Sequence, residues 1–244
     1  MIIFDSNKRA LFDPHSLDLA SHPKKALLVF DDEVWDEYVI KNPDFEKIPL
    51  KNNRGKVFNT LRLYKYESES IVLMYPNTGG SAAAIDLELL IASGIEKFVA
   101  FGTGGAMANN IAKNTVIVPT SAVREEGVSY HYLPLSDEIA QKKHSISLMK
   151  QVFAQQKVSF LMGKVWTTDA VYRETAKKLK LMTDKGCLVV DMEMASLLAV
   201  AEFRGVDFAG FLITDDNIAG KSPKENERNL AKLVKLALEV LVRI

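Results

Sequence analysis

Short apolar runs alternate along the chain with stretches of helical spacing. Residues 26-ALLVF-30, 97-KFVAF-101, 115-TVIVPTSAV-123, 158-VSFLMGKVWTT-168, 187-CLVV-190 and 207-DFAGFLIT-214 predict strands. Residues 56-KVFNTLRLYKY-66 and 70-SIVLMYP-76 predict a hairpin that turns near 67-ESE-69. In 81-SAAAIDLELLIASG-94, Ile85, Leu89 and Ala92 recur on one helical face, with Ser81 as the expected cap and Gly94 as the stop. Further helices are predicted over 145-SISLMKQVFAQQ-156, near 173-RETAKKLKLM-182, and over 192-MEMASLLAVAEFRG-205, which Gly205 closes. An amphipathic helix is predicted over 223-PKENERNLAKLVKLALEVLV-242, with Pro223 at its start. Strands alternating with helices, with no repeat and no linker, predict one α/β domain over residues 1–244.

Two of the most apolar runs end in carboxylates: 188-LVV-190 runs into Asp191 and Glu193, and 211-FLIT-214 into Asp215 and Asp216. In open α/β sheets, ligands collect just beyond the carboxyl ends of the strands. Asp191 has a simple structural role available as a helix cap. Glu193 is harder to assign to structure alone, because it opens a helix that is apolar on almost every face. It is either held by nearby backbone amides or it receives hydroxyl groups of a ligand. Two glycine-rich segments, 76-PNTGGSAAA-84 and 98-FVAFGTGGA-106, each follow a strand and offer backbone N–H groups to an anion, with the Thr78, Ser81 and Thr103 hydroxyls beside them. Neither has the full G-x-G-x-x-G spacing and no G-K-[ST] follows, so no dinucleotide or Walker-type cofactor is expected. No metal site is expected either.

Composition narrows the partners. Lys plus Arg equals Asp plus Glu, at 31 each, and a balanced charge argues against a nucleic-acid or anionic-membrane partner. The single cysteine, Cys187, cannot form an intrachain disulfide and reads as a buried small hydrophobe. The segment 1-MIIFDSNKRA-10 meets charge at Asp5, Lys8 and Arg9 and is not expected to act as a signal peptide. A cytoplasmic protein is expected.

Taken in order, 78-TGGS-81 before a helix, 101-FGTGGA-106, 123-VREEGVSYHYLP-134, 166-WTTDAVYRET-175, 189-VVDMEMASLLAV-200 and 213-ITDD-216 resemble the nucleoside phosphorylase family, which includes uridine phosphorylase, the hexameric purine nucleoside phosphorylases and the methylthioadenosine nucleosidases. The resemblance covers roughly residues 26 to 220, and the D-M-E-M-A-S segment is its most specific part. It implies a central mixed sheet flanked by helices, an enzyme that cleaves the N-glycosidic bond of a nucleoside, and a homo-oligomer, either dimer or hexamer. It implies that Met192 and Glu193 hold the ribose, Glu193 through the 2′- and 3′-hydroxyls, and that Thr103 and Gly104 meet phosphate and ribose. It places Asp215 at N7 of a purine, where burial would have to raise its pKa for it to act as an acid. It places Val171 and Tyr172 on the wall beside base and ribose, with Arg173 within reach of a base carbonyl. Phosphate would fall to Gly79, Gly80, Thr103 and Arg54. His131 lies in a family-like segment without an evident role.

The chain also departs from that pattern. Phosphorylases of the family usually carry G-D-P-x-R after the first strand, and here the place reads 30-FDDEV-34. A second phosphate arginine normally precedes the glycine turn, and here that position is Ala100. Arg54, Arg124, Arg173 or a lysine would have to substitute. The resemblance favours a purine nucleoside phosphorylase that uses inorganic phosphate, with a pyrimidine left open because Arg173 could reach a base carbonyl. Two alternatives stand: a nucleosidase, with Glu33 as the candidate that activates water, and a homologue that binds a nucleoside without turning it over.

Overall fold

The computed structural model describes residues 4–19, 22–48, 61–66, 70–220 and 225–244. The strands are β1 (Lys25–Phe30), β2 (Phe45–Lys47), β3 (Arg62–Tyr66), β4 (Ile71–Tyr75), β5 (Lys97–Ala106), β6 (Val116–Glu125), β7 (Glu138–Ala140), β8 (Phe160–Thr168), β9 (Cys187–Asp191) and β10 (Asp207–Asn217). The helices are α1 (Asp32–Val34), which runs into a π-helical turn at Trp35–Val39, α2 (Gly80–Ala92), α3 (Ser129–Tyr132), α4 (Lys143–Gln155), α5 (Ala176–Asp184), α6 (Met194–Arg204) and α7 (Leu230–Arg243).

All ten strands belong to one mixed sheet, in the order β10-β6-β8-β9-β5-β1-β4-β3-β2 with β7 on β6. Because β5 also pairs with β10, five strands close into a ring. Strand β5 makes this possible. Its first part lies between β1 and β10, both parallel to it, and its last residues turn from β1 to the antiparallel strand β9, with Gly105 opposite Val190. The segment 102-GTGGA-106, expected as a turn, is therefore strand. Its glycines serve the branching: a Cβ at Gly102 would stand 2.6 Å from Phe30 Cβ, and one at Gly104 would stand 2.6 Å from the Val190 carbonyl oxygen.

Helices α2 and α6 cover one face of the sheet, with Ala83, Leu87, Leu197 and Val200 fully buried. Helices α4 and α7 cover the other, where Phe101 stacks on Phe211 and Phe153 meets Phe211 edge to face. Other expectations shift in detail. Gly79, at φ +98°, is the residue before α2, and Ser81 lies inside the helix. Helix α7 starts only at Leu230, capped by the Asn229 side chain on the Lys232 amide, and Pro223 lies outside the described residues. Cys187 is buried, as read. Among the described residues, no helix is long and apolar enough to cross a membrane.

Candidate active site

The ends of β1, β4, β9 and β10 converge on Thr103–Gly105 of β5 and leave a cavity of about 320 Å³. The segment after β9 forms its floor. Asp191 is 6% exposed. Its carboxylate accepts the amides of Glu193 (3.2 Å) and Met194 (2.7 Å) and the Thr167 hydroxyl (2.6 Å). It thus caps the start of α6. Thr167 in turn accepts the Ala195 amide at 3.1 Å. This locks the chain direction at Met192 and delivers Glu193 to the cavity wall. Glu193 is 8% exposed, and its Oε1 accepts the Gly79 amide at 2.7 Å. Burial pushes the carboxyls of Glu193 and Asp191 well above the ordinary range. For Glu193 the neighbouring Asp191 charge adds to the rise, and the Gly79 and Met192 amides oppose it.

The first glycine turn consequently has a different role from the one expected. The anion it holds is the protein's own Glu193. Gly80 packs so closely on α6 that a Cβ there would stand 2.5 Å from Ser196 Oγ. Neither Gly79 nor Gly80 lines the cavity, and Thr78 of that turn does. Thr103, Gly104, Met192, Glu193, Val171 and Asp215 are brought together on the wall. Tyr172 and Arg173 are not: Tyr172 is 97% exposed, and Arg173 is likewise on the outer surface. The short 3-10 turn Val171–Arg173 presents only Val171 to the cavity, and Glu174 follows on the wall. Arg54 lies outside the described residues.

Asp215 is not the buried acid anticipated. Its side chain is 49% exposed, and Oδ1 lies 3.5 Å from both Lys113 Nζ and Arg228 Nη1. Arg228, from the coil before α7, also pairs closely with Asp31, and its Nε is 3.0 Å from Glu33 Oε2. The Arg228 side chain is only 13% exposed. Asp31 itself is buried and accepts the Val34 amide; burial raises its pKa, opposed by that amide and by Arg228. Glu33 is thus tied to Arg228. The member of the acidic turn on the cavity wall is Asp32, which accepts a hydrogen bond from the Tyr75 hydroxyl.

The positions that lack the family's arginines, and the other side chains singled out in the sequence, are placed elsewhere. Val34 and Ala100 are buried in the core. Arg124 is buried under Tyr130 and donates to Ser129, Ser136 and the Pro134 carbonyl. His131 is exposed on α3. The wall carries the carboxylates of Asp32, Glu174, Asp191, Glu193, Asp215 and Asp216, and among the described residues no Lys, Arg or His joins them there. Sequence reasoning gave no role to Asp32, Glu174 or Arg228. Asp32 was legible only as part of an acidic run. Arg228 carries no local signal, since it meets Asp31 across 197 positions of sequence.

A mixed α/β sheet with a carboxylate-floored cavity at its strand ends is the class of protein the geometry defines. The chain belongs to the phosphorylase superfamily, whose family model matches residues 25–244. It is 28% identical over 185 residues to a DeoD-type purine nucleoside phosphorylase of Shewanella oneidensis, covering 74% of this chain and 78% of that protein. It is 23% identical over 203 residues to a guanosine phosphorylase of Halorubrum lacusprofundi, covering 82% and 83%. Among solved structures it resembles a purine nucleoside phosphorylase of Toxoplasma gondii, with a TM-score of 0.74, 21% identity and 91% of each chain covered. An AMP nucleosidase of Bacteroides thetaiotaomicron is similar at a TM-score of 0.73 and 18% identity, over 91% of this chain and 88% of that one. The mixed sheet with flanking helices expected from the sequence is the fold of these proteins.

Proposed function

We propose that this protein cleaves the N-glycosidic bond of a purine nucleoside and that water is the nucleophile. The observation that carries this reading is the acidic turn after β1. Asp31 and Glu33 hold the guanidinium of Arg228, and Asp32 faces the cavity. Phosphate, a dianion for much of the neutral range, wants arginine forks and meets carboxylates there instead. Water has no such requirement.

The chemistry follows from the wall. The C1′–N bond breaks with its electron pair leaving on the base, and the sugar takes on oxocarbenium character. Glu193, fixed by Gly79, accepts the ribose hydroxyls and supports that charge. Water adds its oxygen to C1′ and loses a proton, for which Asp32 is the acceptor on the wall. The departing base takes its proton at N7 from solvent water, and the half-exposed Asp215 carboxylate, held by Arg228 and Lys113, accepts the N7–H. Asp215→Asn is therefore expected to cost purine nucleosides about a hundredfold in kcat/KM and uridine less than about tenfold, since a pyrimidine has no N7. Equal losses on both would remove Asp215 from N7.

Phosphorolysis is the second reading, supported by the names of the sequence relatives and by Thr103 on the wall. The deciding assay follows free base from inosine, guanosine, adenosine, methylthioadenosine and uridine, each with and without phosphate. Equal release without phosphate, with ribose as co-product, supports hydrolysis. A strict phosphate requirement, with ribose 1-phosphate formed, overturns it. Binding without release would make the chain a nucleoside-binding homologue.

A further inference from the structure

We infer that Asp86, buried inside α2 and outside the cavity, is a positioning residue that fixes Glu193 through the turn 76-PNTG-79. Asp86 is 1% exposed. A buried carboxylate is costly unless hydrogen bonds or a cation satisfy it. Among the described residues its hydrogen-bond donors belong to one neutral residue: Asn77 donates its amide to Oδ2 at 2.7 Å and its side-chain Nδ2 to Oδ2 at 3.0 Å and to Oδ1 at 3.4 Å. Burial raises the Asp86 carboxyl and these bonds oppose the rise. An apolar side chain would serve the packing of α2 at lower cost. What the carboxylate adds is a fixed place for Asn77.

That place matters two residues on. Pro76 restricts the backbone before Asn77, Thr78 reaches the cavity, and Gly79, at φ +98°, aims its amide at Glu193 Oε1. The turn is thus pinned at one end by Asp86 of α2 and at the other by Glu193 at the start of α6. Beneath it, Gly80 rests on Ser196, and Ser196 donates to buried Glu126 at 2.9 Å. If Asn77 is released, the Gly79 amide loses its fixed direction. The carboxylate that receives the ribose then loses the donor that orients it. A carboxylate in the helix and an amide in the turn thereby set the geometry of a group more than a hundred residues away in sequence.

This inference rests on the proposed role of Glu193 for its activity arm only. Glutamate carrying ¹³C in its carboxyl reports the titration of Glu193 directly, the resonance being identified by its loss in Glu193→Gln. Asp86→Ala and Asn77→Ala are expected to move that midpoint up by about half a pH unit or more, because a carboxylate that loses an amide donor is harder to ionise. Asp191 and the cavity carboxylates of Asp32, Glu174, Asp215 and Asp216 are unchanged by either substitution. With a nucleoside that the wild type cleaves, kcat should fall about tenfold with KM within about threefold, and the double variant should be no worse than the single ones. Asp86→Asn, which keeps an acceptor for the Asn77 amide, should retain most of the rate. An unmoved Glu193 midpoint in the folded variants, or additive losses in the double variant, would overturn the inference. Should Asp86→Ala fail to fold, Asn77→Ala in the half-buried turn decides by the same titration. A wild type that releases no base would sink the proposed function, and the titration would still decide the role of Asp86.

Discussion

Glu193→Gln is expected to lower turnover about a thousandfold, roughly 4 kcal/mol of transition-state stabilisation, while the folded protein melts higher than the wild type above neutral pH. The first half follows from charge. A glutamine keeps the size of Glu193 and an oxygen for the Gly79 amide, but it cannot oppose the positive charge that, in the proposed reaction, grows on the sugar. Glu193→Ala should be as slow or slower, also with the fold intact. The second half follows from burial. The carboxyl of Glu193 is raised above its ordinary value of 4.5, first by desolvation and then by Asp191. A group whose folded pKa lies above its unfolded one binds more protons in the native state. Its contribution is complete below the unfolded value and is lost as pH rises through the folded one. The wild type should therefore lose stability from about pH 4.5 towards and past neutrality, and the glutamine variant should lack that part of the decline. At pH 8 a gain of about 2–4 °C in Tm corresponds to roughly 1 kcal/mol for a chain of this size. Scanning calorimetry at pH 5 and pH 8, with base release measured beside it, checks both halves. A variant that keeps near wild-type turnover would end the case for Glu193 at the ribose.

The alternation of apolar runs and helical stretches located β1, β4, β6, β8, β9 and β10 and the bodies of α2, α4, α6 and α7, because each is a local pattern. The carboxylates at strand ends were legible for the same reason, and they do meet on one wall. What escaped depends on tertiary pairing. The extension of β5 through 102-GTGGA-106 comes from a third neighbour, β9, and glycines read locally as a turn. The role of Gly79 depends on Glu193, which follows it by 114 positions. Arg228 answers to Asp31, Glu33 and Asp215 from the coil before α7, and no spacing rule joins those places. Tyr172 resembles a wall residue in sequence and faces outward, because the 3-10 turn it sits on presents Val171.

Gly104→Ala should damage both stability and activity, and the cause is backbone rather than side chain. A Cβ at this position would meet the Val190 carbonyl oxygen at 2.6 Å and Val189 Cγ2 at 2.7 Å. A carbonyl inside a strand cannot rotate away, and Val189 is fully buried. Relief requires β5 and β9 to separate where Gly105 pairs with Val190. Overpacking of this kind costs about 1–3 kcal/mol, which in a chain of this length lowers Tm by roughly 2–4 °C for each kcal/mol. The same separation displaces the residues that follow β9, Asp191 to Glu193, so turnover should fall at least about tenfold even well below the new Tm. Gly127→Ala is the matched control. The added Cβ there stands 3.6 Å from Asp169 Oδ2, an ordinary contact, and Tm should move by less than about 2 °C. Thermal melts and base release for the pair test the claim that β5 and β9 must touch for Glu193 to be in place. A Gly104→Ala protein as stable and as active as Gly127→Ala would refute it.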